Sequence, residues 1–434
     1  MGFVPRALAE ASRILLLDLA KNYSAALVLH QLGPMYREVR AHSLTLCDGL
    51  STEDYCIQPA AEASPPKWHL AHTTWFFETF LLLPHLPSYR RRQEAYGYLF
   101  NSYYEGIGEQ WPREDRGKLS RPTVAEVLEY RDQVDAAMIE LLEDADVCSD
   151  EIGQLTVLGL HHEQQHQELL VTDIKRNLGV NPLAPALECC AIEECAGAPE
   201  DAIQFVEFDG GLVTIGIDES GVSGAGFQEF SFDNESPRHQ VYLQPYAIAT
   251  RLCSNGEYLG FMNDGGYKRP ELWLAEAWNR VVHEQWNAPL YWTCADGEWL
   301  EYRLSGQRPL CKESPVAHLS YFEADAFARW QGARLPTEAE WEASLRSDKR
   351  AQIRDAFGTL WQWTASAYSP YPGYRPWAGA VGEYNGKFMS GQMVLRGSSC
   401  ATPEGHARAS YRNFFYPWDR WQYSGVRLAR NIEE

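Results

Sequence analysis

The segment 151–178 constrains this chain more than any other. It reads as one long helix, with Leu155, Leu158, Leu169, Leu170 and Ile174 recurring at helical spacing and His162 and His166 on the same pattern. Other segments ahead of it read the same way. Residues 12–33 carry Ile14, Leu15, Leu19 and Leu29 on one face, and 36–49 reads as a second segment. Residues 68–83 form another, stopped by Pro84 and Pro87. Thr123-Val-Ala-Glu126 is a capping box ahead of Val127, Leu128, Val134, Met138, Leu141 and Leu142. Four principal helices predict a bundle over 1–180. The strip 90–120, rich in Tyr, Arg and Gly, is too long for a neutral bundle loop and is a candidate lid over a site.

Beyond residue 180 the character changes. Residues 181–202 hold three prolines and a cysteine cluster and read as a linker. Short β-type runs follow at 204–208, 212–215, 239–248, 299–304 and 394–396, punctuated by Asp209-Gly-Gly and Asp264-Gly-Gly. Capping boxes at Ser320-Tyr-Phe-Glu323 and Thr337-Glu-Ala-Glu340 predict two short helices. The region 203–434 is therefore expected to be a loop-rich, mixed α/β domain, and the 434-residue length agrees with two domains. Its loops draw on an unusual supply of aromatics, 15 Trp and 23 Tyr in the whole chain, which suit pocket walls.

A formal charge of −21 argues against a nucleic-acid partner. The apolar runs 76–83 and 203–208 are too short to span a bilayer, and the first residues lack the apolar core of a secretory signal. A cytoplasmic protein without a membrane partner is expected. The ten cysteines include no Cys-x-x-Cys pair, and free thiols are expected, including Cys189, Cys190 and Cys195.

The chemistry-bearing motif is Leu160-His-His-Glu-Gln-Gln-His166. It contains His-Glu-x-x-His, the zinc-peptidase pattern, in which Glu163 would be the general base. His162 and His166 are one turn apart on one helix face, whereas His161 points about 100° away. The peptidase reading lacks its third ligand, because no Gly-x-x-His continuation follows. A third imidazole is available upstream in Trp68-His-Leu-Ala-His72, from either His69 or His72. Three histidines would leave metal positions open for substrate and O2. Neutral nitrogen ligands suit Fe(II), and spacing alone allows zinc or copper equally.

With these motifs in view, the chain resembles the ergothioneine-biosynthetic sulfoxide synthase family over nearly its whole length. The matching stretches are Trp68–His72, Asn101–Tyr104, Arg116–Pro122, His162–His166, Arg334–Trp341, Trp361–Ser366, Leu395–Ser399, Tyr411–Pro417 and Trp421–Ala429. The resemblance implies a DinB-like four-helix bundle followed by a formylglycine-generating-enzyme-like domain of C-type-lectin-like fold. It implies non-haem Fe(II) held by His72, His162 and His166, with His69 a neighbour, and O2 as co-substrate. The implied reaction joins the thiol sulfur of cysteine, or of γ-glutamylcysteine, to imidazole C2 of Nα-trimethylhistidine (hercynine) and oxidises it to a sulfoxide. Formylglycine-generating enzymes bind copper through two cysteines five residues apart. Here Cys400 is present and 405 is glycine, so the second domain is expected to supply substrate-binding walls.

The resemblance also implies roles for individual residues. Tyr103 or Tyr104 would deliver a proton and an electron, with Tyr368, Tyr371 and Tyr374 as competitors. Arg113 and Arg116 would bind the carboxylate of the thiol substrate, since a guanidinium makes paired, charge-assisted bonds. Gln165 would orient the imidazole of hercynine. Asn413 would meet its carboxylate, and Phe414, Phe415 and Trp418 its trimethylammonium group. Gln58 and Trp75 are further candidates. Relatives that use γ-glutamylcysteine carry an acid where Phe415 stands, which favours free cysteine. Three alternatives stay open: γ-glutamylcysteine as donor, an ovothiol-type histidine sulfoxide synthase, and a metal-dependent binding protein without activity.

Overall fold

The computed structural model describes residues 25–144, 148–187, 192, 201–218, 221–222, 230–383 and 385–432. The chain divides into two units, and the division does not follow chain order. The first takes 1–180 together with 219–236 and 373–387, and the second takes 181–218, 237–372 and 388–434.

Among the described residues four long helices build the first unit: α1 (Ala25–Thr45), α2 (Pro66–Phe77), α3 (Val124–Glu143) and α4 (Asp150–Gly179). Both α1 and α2 pack against α3 and against α4. Helix α1 joins what the sequence divides at Gly33 and runs through Pro34. Pro34 lies on the exposed side, where the carbonyl left without its amide partner can meet water. The part of the expected first helix over 12–24 lies outside the described residues.

Helix α2 starts at Pro65-Pro66, the position where a missing N–H costs nothing, and every one of its residues is buried. A π-helical turn, Glu78–Leu82, continues it. The Glu78 carboxylate, wholly buried, is satisfied there by Tyr89, Tyr130 and Arg91 at 2.7, 2.9 and 3.0 Å. The capping box predicted at Thr123 is formed, with both reciprocal bonds present. Gly159 on α4 permits a close approach to α2, since a Cβ there would stand 2.6 Å from a Phe77 ring carbon.

The second unit holds several small sheets. Strands β1 (Phe205–Phe208), β2 (Gly211–Ile215), β3 (His239–Leu243) and β4 (Tyr246–Ala249) precede helices α5 (Asn255–Asn263) and α6 (Ala275–His283). A meander of β5 (Trp292–Ala295), β6 (Glu298–Arg303) and β7 (Gly306–Pro309) follows. Then come α7 (Tyr321–Trp330), α8 (Glu338–Arg346) and strands β8 (Trp361–Ala367), β9 (Met393–Arg396), β10 (Asn413–Phe415), β11 (Ser424–Gly425) and β12 (Ala429–Asn431). The sheet orders are β1-β4-β12, β2-β3, β5-β6-β7 and β10-β9-β8-β11, the last antiparallel except for β8 with β11. One core cluster gathers Ile215, Leu243, Tyr246, Ile248, Trp341 and Leu345.

The predicted strand over 239–248 is broken into β3 and β4 at Gln244-Pro245, where proline removes a ladder donor. Both predicted capping boxes of this region start helices, and α5 and α6 add two that were not expected. Among the described residues no helix is long and apolar enough to cross a membrane. The described cysteines are free thiols, and Cys189, Cys190 and Cys195 lie outside the described residues.

Candidate metal centre

His72 comes from the middle of α2, and His162 and His166 come from the middle of α4, one turn past Gly159. One nitrogen from each of the three lies within 4.8 Å of the others. His72 Nε2 and His162 Nε2 are 3.3 Å apart. Two nitrogens each ~2.1 Å from one ion, at right angles, stand roughly 3 Å apart, so the pair has the spacing of neighbouring ligands. The Phe100 carbonyl accepts from His72 Nδ1 at 2.6 Å, which commits the proton to Nδ1 and leaves Nε2 to ligate.

Protonation would defeat the site, and burial prevents it. Burial, then the neighbouring His162, holds His72 well below the usual imidazole range. Burial pushes His162 down to about 3. Burial, then His72, holds His166 well below its ordinary value. Three neutral nitrogen donors with no carboxylate among them fit a divalent first-row ion that keeps open positions.

Around these ligands the strip 90–120 is built into the wall of the helical unit. Trp68 stacks on His72 with centroids 4.7 Å apart and planes at 10°. The Arg116 guanidinium carbon lies 3.3 Å from the Trp68 centroid. Arg116 is 3% exposed, and its hydrogen bonds go to the neutral hydroxyls of Ser64 and Ser102 at 3.0 and 2.9 Å. Burial pushes it down to about 9. A buried cation held by hydroxyls favours an anionic ligand beside it. Arg113 sits one short 3-10 turn away and donates to the Tyr103 hydroxyl at 3.0 Å. Gln58, expected as a substrate contact, instead bonds the Arg113 carbonyl at 2.7 Å and the Gly117 amide at 2.5 Å, holding the arginine turn.

The two adjacent tyrosines differ. Tyr103 has a left-handed backbone, φ 66°. Burial works to raise its phenol, but Arg113 and Arg116 outweigh it, and the net shift is downward. Tyr104 is 2% exposed and packs edge-on to Phe80 at 5.2 Å, and burial pushes its phenol far up. The loop that carries them is strapped by the segment 373–387. The Glu383 carboxylate accepts from the Glu105 and Gly106 amides at 3.0 and 2.9 Å, and Lys387 donates to the Tyr103 carbonyl.

Glu163 is not placed to act on a substrate. It is wholly buried and receives Arg131 at 2.6 Å, Arg40 at 2.9 Å and Ser43 at 2.6 Å. Burial would raise its carboxyl, but the two arginines hold it at about 2. The motif glutamate is a structural anion that locks α4 to α1 and α3, which removes the peptidase reading. Gln165 is half-buried on the same helix.

The remaining expected site residues belong to the second unit. Asn413, Phe414 and Phe415 are half-buried on β10. Asn413 caps its own neighbour, its Oδ1 accepting from the Phe414 amide at 2.8 Å. Phe414 stacks on Tyr368 at 4.1 Å, and Phe415 meets Trp421 edge-on at 5.5 Å. Trp418 stacks on Tyr416 at 5.0 Å, and the Arg280 guanidinium lies 4.6 Å from its ring. Since that indole already carries one cation, it is a poor seat for a trimethylammonium group. Of the competing tyrosines, Tyr371 is engaged with Glu338 and Arg396, and Tyr374, which lies in the 373–387 segment of the first unit, donates to Asp233. Sequence reasoning passed over Ser64, Ser102, Asp173 and Glu383. The one available signal was helical spacing, Asp173 falling two turns after His166.

The chain belongs to the sulfatase-modifying factor enzyme 1-like domain family, which matches residues 193–353 and 351–432, and the DinB superfamily matches residues 35–170 ahead of it. Its relatives carry the names that the sequence motifs led to. Hercynine oxygenase of Mycobacterium tuberculosis is 28% identical over 445 residues, spanning 93% of this chain and 99% of its own. Hercynine oxygenase of Mycolicibacterium smegmatis is 29% identical over 414 residues, 85% of this chain and 91% of its own. Ergothioneine biosynthesis protein 1 of Schizosaccharomyces pombe is 27% identical over 232 residues, 46% of this chain and 28% of its own.

Proposed function

We propose that this chain is an Fe(II)-dependent oxygenase of ergothioneine biosynthesis that joins the sulfur of cysteine to imidazole C2 of hercynine as a sulfoxide. The observation that carries the reading is the convergence of His72, His162 and His166, three neutral imidazoles on two helices. The names of the relatives support hercynine and O2 as substrates. The balance is simple. Thiol, imidazole and one O2 give the sulfoxide and one water, the S–H and C2–H bonds breaking as the C–S and S–O bonds form.

His72, His162 and His166 would hold the ferrous iron, which when bound would supply the O2 activation. The protein does the rest. Arg116 and Arg113 take the cysteine carboxylate, which fixes the thiol beside the histidines and replaces a chance encounter with a held geometry. Tyr103, its hydroxyl bonded to Arg113, is the proton donor we assign, because the guanidiniums that hold the substrate also ease the loss of its proton. Gln165 orients the hercynine imidazole.

The deciding experiment is anaerobic loading with Fe(II), followed by O2, hercynine and each thiol in turn, with mass spectrometry of the product. Hercynylcysteine sulfoxide is the expected product. Faster turnover with γ-glutamylcysteine would reverse the donor, and no coupled product with either thiol would overturn the function.

A further inference from the structure

His69 stands one turn before His72 on α2, and Asp173 stands two turns after His166 on α4. The two helices therefore pair twice, once through the candidate ligands and once through these neighbours. His69 Nδ1 is 3.0 Å from His166 Nδ1, and His69 Nε2 is 2.9 Å from an Asp173 carboxylate oxygen. That same oxygen accepts from the Ser64 amide at 2.8 Å. The Ser64 hydroxyl in turn accepts from Arg116. His69 and Asp173 are 3% and 2% exposed.

With His166 ligating through Nε2, these contacts admit one arrangement of protons. An imidazole that ligates through Nε2 carries its hydrogen on Nδ1, so His166 donates to His69. His69 must then accept at Nδ1, so its own hydrogen is on Nε2 and goes to Asp173. Both His69 nitrogens are spent, which bars it from the metal although it lies on the ligand helix. We propose that His69, anchored by Asp173, is a positioning residue that fixes the ring angle and tautomer of His166, with Nε2 presented to the metal. An outer partner of this kind typically changes metal affinity about 10–100-fold. Because Ser64 joins the anchor to Arg116, the same chain of bonds ties the seat proposed for the substrate carboxylate to a metal ligand.

The inference rests on the three-histidine reading and is tested apart from it. Full-length apo-protein is titrated with Co(II) against a chelator, and the d–d absorption is recorded. Wild type should bind one ion and His166→Ala should lose it. His69→Leu, which cannot accept, should bind about 10–100-fold more weakly with shifted bands. His69→Asn, whose side-chain oxygen can take the place of Nδ1, should recover most of the affinity and the wild-type bands. Asp173→Leu should weaken binding, and His69→Leu added to it should cost little more. A folded His69→Leu protein with wild-type affinity and spectrum overturns the inference alone. So does equal loss in His69→Leu and His69→Asn, and, if the leucine variant fails to fold, so does a folded His69→Asn protein that binds about 10–100-fold more weakly than wild type. Absence of Co(II) binding by wild type overturns the metal reading beneath it.

Discussion

At the scale of single residues, the motif that most resembles a peptidase holds its least catalytic member. Glu163 is ringed by Arg40, Arg131 and Ser43, so its removal takes the carboxylate from the buried Arg131 and leaves Arg40 with Asp135 alone. Glu163→Ala should lower unfolding stability by about 3–5 kcal/mol in denaturant titration. A peptidase-type base would be lost at little cost in stability, and that result would restore the motif's usual meaning. The adjacent tyrosines offer a second test. Tyr103→Phe removes the hydroxyl that Arg113 holds, whereas Tyr104→Phe removes one from an aromatic pocket. In single-turnover measurements Tyr103→Phe should slow product formation about 100-fold or more, and Tyr104→Phe much less. The reverse order would move the donor to Tyr104.

At the scale of elements, the site depends on how near α2 comes to α4. Gly159→Ala places a methyl 2.6 Å from Phe77, where α4 meets the wholly buried α2. It should cost about 1–3 kcal/mol and weaken metal binding, because the separation of His72 from His162 is set there. Calorimetry together with Co(II) titration measures both, and unchanged affinity would show that the helices do not set the ligand spacing. The pairing of His162 with His166 was legible because i,i+4 spacing on a helix is local. The choice of His72 over His69 was not legible from spacing, since both lie on the same buried helix and only Phe100, Asp173 and His166 separate their roles. Helix α5 could have been read, as Ser254-x-x-Glu257 is a capping box. The sandwich of Arg116 on Trp68 could not, because it joins side chains 48 positions apart through the tertiary fold. Proline explains both misplaced boundaries: Pro34 is tolerated on an exposed helix face, and Pro245 breaks a strand.

At the scale of the molecule, a metal that binds only the native helical unit must raise its stability. Loading to 100 times the dissociation constant adds about 2.7 kcal/mol, so chelation should lower the melting temperature of that unit and His72→Ala should abolish the difference. The second unit has an electrostatic test of its own. Glu338 is bonded by Arg412 at 2.9 Å and by Arg396 at 3.1 Å; burial would raise its carboxyl, but the arginines bring it below the ordinary 4.5. A carboxyl lowered on folding stabilises the native state above its unfolded pKa, and that contribution fades as pH falls through the folded value. Glu338→Gln should therefore destabilise the unit at neutral pH and flatten its loss of stability below pH about 4.3, read from acid titrations of tryptophan fluorescence. One last consequence concerns synthesis. The helical unit is completed by 219–236 and 373–387, with Phe230 stacked 4.2 Å from His161 and Asn385 bonded to Asp233. A ribosome releases those stretches long after α4, so the nascent bundle waits, unfinished, for most of the remaining chain to emerge, and a gene cut at the apparent domain border yields a body with missing parts.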